Sequence, residues 1–254
     1  MSELFSLNNK LILITGSARG IGRLLAQGVA EHGATVIINS TQQDKSQAVA
    51  DELNAQGFKA HAVAFDVTDS SAVQKSIDFI EHNIGAIDVL INNAGIQRRY
   101  PFCEFPEKDY DDIMNINQKG VFLVSQAVAR YMITRKQGKI INIGSVQSEL
   151  GRDTITPYAA SKGAVKMFTR GMCVELARYN IQVNGIAPGY FATELTKALV
   201  DNKEFSDWLC KRTPAARWGK PEELIGAAVF LSSKASDFVN GHLLFVDGGM
   251  VAAV

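Results

Sequence analysis

The chain has 254 residues with 26 basic and 26 acidic side chains, a length that suits one large α/β domain and a balance that speaks against nucleic acid or an anionic membrane as partner. The three cysteines, Cys103, Cys173 and Cys210, are scattered and odd in number. They argue against a disulfide framework or a zinc site, no metal site is expected, and free thiols fit a reducing cytoplasm. The first ten residues lack the basic-then-apolar pattern of a secretory signal, and no apolar run approaches the ~20 residues of a membrane span.

Along the chain, short apolar runs alternate with longer segments of helical period. The runs are Leu11–Thr15, Thr35–Asn39, Ala60–Phe65, Val89–Ile91, Lys139–Ile143, Gln182–Ile186 and Leu243–Val246. Their near-continuous apolar character marks strands buried on both faces. Helical segments fall at Ile21–Glu31, Lys45–Gln56 and Ser71–Glu81. In the last of these, Val73, Ile77 and Ile80 make one apolar face. Strand–helix alternation implies a single-domain, doubly wound parallel sheet of about seven strands with helices on both faces. After Pro188-Gly189 the rhythm breaks. Residues 190–220 contain Trp208, Trp218 and Pro214 and read as a small helical insertion, placed where such folds carry a substrate lid, or equally as a surface helix pair capping the core.

The first strand runs into Gly16-Ser17-Ala18-Arg19-Gly20-Ile21-Gly22 before a helix. Glycines there allow a tight turn and let backbone N–H groups approach a pyrophosphate at the helix N-terminus, the hallmark of a Rossmann-type dinucleotide site. Asn39-Ser40-Thr41, at the end of the second strand, contains no acid to accept a ribose 2′-hydroxyl. Arg19 and Lys45 are available to a 2′-phosphate. The stretch therefore favours NADP(H), with Ser40 and Thr41 leaving NAD open.

Tyr158 and Lys162 stand at i, i+4 and would share a helix face, with Ser145 thirteen residues upstream, after the fifth strand. An ammonium beside a phenol, helped by an oxidised nicotinamide, favours the phenolate, so Tyr158 can trade protons near neutrality. Ser145 can hold the substrate oxygen.

The glycine spacing, together with Asp66-Val67, Asn92-Asn93-Ala94-Gly95, Asn117, Ser145, Tyr158-Ala159-Ala160-Ser161-Lys162, Pro188-Gly189 and Asp247-Gly248-Gly249, resembles the short-chain dehydrogenases/reductases over essentially the whole chain. The resemblance implies that Asp66 with Val67 holds the adenine, that Asn93, Ala94, Gly95, Pro188 and Gly189 shape the cofactor pocket, and that Thr193 steadies the nicotinamide carboxamide. It implies that Asn117 holds a water linking Lys162 to solvent, although Asp66 alone reads as a turn cap. It also implies a homotetramer packed through helices near Glu107–Arg135 and Pro157–Tyr179.

The run Gln147–Tyr158, Ile96-Gln97-Arg98-Arg99 and the segment Lys166–Leu176 are similar to members of that family acting on sugar acids. Such a substrate needs a cation for its carboxylate, and Arg98, Arg99 and Arg152, with Gln147, are the candidates, Arg98 or Arg99 first. Each arginine is as readily a solvated or inter-subunit residue. Two rivals remain: a 3-ketoacyl-thioester or other polyol/ketone reductase of the same family, and a dinucleotide-binding regulator without turnover.

Overall fold

A computed structural model describes residues 3–193 and 196–254. Seven strands form one sheet: β1 (Leu11–Ile14), β2 (Thr35–Ile38), β3 (Lys59–Ala62), β4 (Val89–Asn92), β5 (Gly138–Ile143), β6 (Ile181–Pro188) and β7 (Leu243–Val246). Their order is β3-β2-β1-β4-β5-β6-β7 and every pairing is parallel. The chain winds outward from β1 in one direction and from β4 in the other. The crevice where direction reverses lies between the carboxyl ends of β1 and β4, which is where open α/β sheets bind ligands.

Period-2 alternation explains the two buried layers. Ile12 and Ile14 of β1, with Val36, Ile38, Ile141 and Ile143, face helices α1 (Gly20–Glu31), α2 (Gln43–Ala55) and α9 (Ile225–Ser232), burying Leu25, Val29, Val49 and Leu231. Leu11 and Leu13, with Ile37, Leu90, Ile140 and Val183, face α3 (Ser70–Phe79) and α5 (Gly120–Arg135), burying Val73, Ile77, Val124 and Val128. Helix α6 (Thr156–Leu176) packs along β6 on the second side.

Expected and observed elements differ in three places. The third strand ends at Ala62 rather than Phe65, because beyond it the chain keeps only the spaced bonds Val63 N to Ile38 O (3.0 Å) and Phe65 N to Ser40 O (3.0 Å). The expected helix over 107–135 is α4 (Glu107–Met114) and α5 joined by a π-helical turn at Asn115–Lys119, an extra-residue bulge that turns Asn117 into the core. In the 190–220 segment, α7 (Lys197–Val200) and α8 (Lys203–Arg212) carry the helical part, and Glu194 and Leu195 of that expected insertion lie outside the described residues. Among the described residues no helix is long and apolar enough to cross a membrane.

Candidate active site

The loops at the carboxyl ends of β1, β2, β4, β5 and β6 converge. The glycine loop is built by exclusion. A Cβ on Gly16, whose φ is +64°, would lie 2.9 Å from Ala94 Cα, and one on Gly22 would lie 2.4 Å from Asn93 Nδ2 and 2.5 Å from Gly16 O. Gly20, at φ +56°, meets nothing within 4 Å, so the loop is closed toward the protein and open on the outer side, leaving a cradle at the start of α1. Arg19 caps α1 with extended backbone and an exposed side chain, and makes no ion pair among the described residues. Ser17 points the other way. It is fully buried, donating to Ile14 O (2.7 Å) and accepting from Asn39 N (3.0 Å), so its side chain holds the loop rather than facing a ligand.

Asn39, which in sequence marks only a second strand ending without an acid, holds the glycine loop. Its Oδ1 accepts from Gly16 N (3.1 Å), and its Nδ2 donates to Val63 O and Phe65 O, each 3.2 Å. The only signal in the chain was a polar residue ending an apolar strand. Thr15 and Asn93 clamp the other side. Thr15 Oγ1 accepts from Asn93 N and Ala94 N at 3.0 Å, while Asn93 Nδ2 donates to Thr15 O (2.9 Å) and Gly16 O (3.1 Å). Ser40 is tied into its own turn, donating to Gln42 O at 2.8 Å and lying 2.8 Å from Ser46 Oγ, whereas Thr41 and Lys45 are exposed. Asp66 Oδ1 accepts from Thr68 N and Thr68 Oγ1 at 2.8 Å, which is the turn-cap geometry, and Val67 packs against Gly120. Gly189 follows Pro188 and donates to Val246 O (2.9 Å); a Cβ on it would strike Asp247 Cα at 2.8 Å. Thr193 is held by Thr196, its N–H donating to Thr196 Oγ1 at 2.8 Å.

Ser145 caps a short 3-10 turn, accepting from Gln147 N (3.2 Å) and donating to Gln147 Oε1 (3.1 Å). Ser145 lies close enough to the Tyr158 phenol to favour its ionised form. Lys162, 5% exposed, donates to Ile143 O at 2.7 Å, and its Nζ sits 5.7 Å from the Tyr158 ring centroid. Burial brings the Lys162 ammonium down to about 8. Burial also pushes the Tyr158 phenol up, with Ser145 and the Arg99 charge pulling against it. The lowering expected from Lys162 is therefore corrected for the chain alone: burial outweighs the neighbouring groups that favour the phenolate, and the cation acting on the phenol is the Arg99 guanidinium.

Asn117 is buried and its amide bridges two elements. Oδ1 accepts from Ile96 N (2.8 Å), and Nδ2 donates to Ile96 O (2.9 Å) and Ser161 Oγ (3.1 Å). The side chain therefore locks the loop after Gly95 onto α6, with both amide hydrogens spent. The arginines divide. Arg98 turns outward to Asp109, 3.7 Å away. Arg99 lies in reach of Tyr158, Tyr190 and Arg152; partial burial and the neighbouring Arg152 charge lower its own pKa. Arg152 donates from Nη1 to Tyr190 OH (2.9 Å) and stacks 4.6 Å above the Phe205 ring. Tyr190 and Phe205 were not singled out from sequence; an aromatic directly after Pro188-Gly189 was the available sign.

These features define a dinucleotide-dependent oxidoreductase scaffold, and the family model for short chain dehydrogenase matches residues 10–204. The chain belongs to that family. It is 66% identical over 254 residues, all of both chains, to 5-keto-D-gluconate 5-reductase of Escherichia coli. It is 56% identical to gluconate 5-dehydrogenase of Gluconobacter oxydans, covering 99% of this chain and 98% of that one. A solved gluconate 5-dehydrogenase from Burkholderia cenocepacia, in complex with NADP and tartrate, superposes with a TM-score of 0.97 at 58% identity, covering 99% of each chain.

Proposed function

We propose that this protein interconverts D-gluconate and 5-keto-D-gluconate with NADP(H). The full-length similarity to enzymes so named supports the substrate and the cofactor. The observation that carries the chemistry is the buried Lys162 beside the Tyr158 ring, with the buried Ser145 acting on the same phenol.

The cradle at Gly20 fits a pyrophosphate, Arg19 is placed for a 2′-phosphate, and the floor formed by Asn93, Ala94, Gly95, Gly189 and Thr193 would carry the nicotinamide end. When bound, the nicotinamide accepts or supplies the hydride. Ser145 and Tyr158 grip the reacting oxygen and fix its distance from that ring. In oxidation Tyr158 takes the hydroxyl proton, and in reduction it returns one to the carbonyl oxygen. Arg99 favours the phenolate against the burial that opposes it, and Lys162 holds its ammonium beside the same ring. Gln147, bonded to Ser145 Oγ, keeps that hydroxyl aimed. Asn117 braces the loop after Gly95 on α6, and Tyr190 and Phe205 wall the substrate side.

A 3-ketoacyl thioester suits this wall poorly, because two guanidiniums and the polar groups of residues 152–154 line what would be an acyl channel. A regulator without turnover gives no physical reason to bury an ammonium against a tyrosine. The fold closes as one unit around one sheet, and we place the protein in the cytoplasm. The exposed apolar residues Tyr110 and Phe122 on α4 and α5, and Met167 and Val174 on α6, suit the homotetramer. The test is to follow reduced-cofactor absorbance with 5-keto-D-gluconate, a neutral ketose and a ketoacyl thioester, each with NADPH and NADH. Turnover of 5-keto-D-gluconate with NADPH well above the others is expected; preference for the thioester would refute the reading.

A further inference from the structure

A cavity of about 510 Å³ lies beside the reacting residues, walled by Tyr190, Phe205, Trp208 and Met250 and containing Arg152 and Arg212. Its charge is unbalanced. Arg23, Arg135 and Arg217 each meet a carboxylate within hydrogen-bond distance. Arg152 and Arg212 meet none among the described residues, and their bonds go to Tyr190 OH and, from Arg212 Nη2, to Ala253 O (3.3 Å). Asp153, at the rim and exposed, pairs with neither. Two guanidiniums lining one partly apolar recess, neither paired with a carboxylate among the described residues, give it a positive potential suited to an anion.

Arg152 is also preset. Its face is fixed on Phe205 and, 5.6 Å away, on Tyr190, while Phe205 in turn contacts Trp208 at 5.4 Å. A guanidinium immobilised on one face offers a rigid donor edge matched to a carboxylate. Arg99, by contrast, acts on Tyr158 itself and belongs to the reacting end.

We propose that Arg152 and Arg212 form a carboxylate subsite in this cavity, separate from the Ser145–Tyr158–Arg99 end, so that the substrate lies extended with its carboxylate remote from the reacting carbon. This rests on the sugar-acid reading above. It makes the enzyme selective for keto acids whose carbonyl and carboxylate lie at opposite ends of the carbon chain, and poor on 2-keto acids, where the two groups are adjacent.

The experiment compares wild type with Arg152→Met, Arg152→Lys and Arg212→Met in reduction of 5-keto-D-gluconate and of its neutral counterpart bearing CH2OH in place of the carboxylate. NADPH affinity is measured alongside to report an intact fold. Loss of a charge-assisted pair should raise KM for 5-keto-D-gluconate by roughly ten- to a hundredfold in both Met variants. KM for the neutral ketose should move by less than about threefold, and Arg152→Lys should recover part of the loss. A KM for 5-keto-D-gluconate that rises by less than that, or rises equally for both ketones, overturns the subsite. Absence of 5-keto-D-gluconate turnover in wild type would instead overturn the proposed function.

Discussion

Replacing Gly22 with alanine tests the construction of the cofactor loop directly. The new methyl would stand 2.4 Å from Asn93 Nδ2, 2.5 Å from Gly16 O and 2.9 Å from Ser17 Cα. Ordinary contact begins near 3.4 Å, so the Asn93 amide or the Gly16 carbonyl must retreat by about 1 Å. That movement breaks the amide's bonds to Thr15 O and Gly16 O. Two such bonds are worth about 1 kcal/mol each, and forcing a methylene into a packed site costs a further ~1–3 kcal/mol. The sum, roughly 3–5 kcal/mol, divides between the stability of the chain and its affinity for cofactor. We expect a melting temperature lower by about 5–10 °C and NADPH binding weakened at least about tenfold, measured by thermal unfolding and by fluorescence titration. Gly20→Ala is the control. It meets no atom, and its φ of +56° costs only about 1–2 kcal/mol. If Gly22→Ala melts and binds like wild type, or is milder than Gly20→Ala, the clamp between Asn93 and the glycine loop has been misread.

Tyr158→Phe keeps the ring and removes the proton-carrying oxygen, so NADPH should bind normally while turnover falls by about three orders of magnitude or more; retained turnover refutes the assignment. Arg19→Gln should weaken NADPH about tenfold or more and leave NADH nearly unchanged, and an equal effect on both cofactors would remove Arg19 from the 2′-phosphate site. Lys162 gives a pH signature. Its folded pKa is depressed from 10.5 to about 8, so between those values the unfolded chain binds a proton that the folded chain does not, and stability rises with pH across that window. The shift corresponds to roughly 3 kcal/mol. Wild type should therefore gain about that much relative to Lys162→Met from pH 7.5 to 10.5, seen as converging or crossing denaturation midpoints; a constant difference refutes it.

Much of the architecture was legible because it depends on period alone. Strands such as Leu11–Ile14 bury both faces, so their sequence is apolar throughout, and the segments between them repeat at helical spacing. The juxtaposition of Tyr158 and Lys162 was legible for a similar reason: they are one helical turn apart on α6, and Ser145 follows β5. What escaped depends on contacts between distant parts of the chain. No local pattern says that Asn39 reaches Gly16, that Ser17 turns inward, or that Asn117 spends its amide on Ile96 and Ser161. Arg98 and Arg99 are adjacent in sequence and equivalent by composition, yet one meets Asp109 and the other faces Tyr158. The π turn at Asn115–Lys119 was equally invisible, since one extra residue in a helical repeat leaves the apolar pattern almost intact.

A buried polar chain runs through the sheet close to the Ile143 carbonyl that receives Lys162. Asn92 donates to Ser125 Oγ (2.8 Å) and Asn142 Oδ1 (2.9 Å), and Asn142 donates to Thr169 Oγ1 (2.9 Å), which itself donates to Val165 O. This buried line crosses from α5 through β4 and β5 to α6, with Asn92 and Asn142 in register. Each member has a partner, so the line specifies position without leaving a desolvated group. Its two strand residues stand next to the two that matter outside it. Asn92 precedes Asn93, which clamps the glycine loop, and Asn142 precedes Ile143, whose carbonyl receives the Lys162 ammonium. Backbone pairing already fixes the register of β4 on β5, and the side-chain bond adds to it at the end of the ladder, where β4 runs out. It thereby ties the strand end that carries Asn93 to the one whose Ile143 carbonyl receives the Lys162 ammonium, so the two loops leave the sheet from one fixed edge.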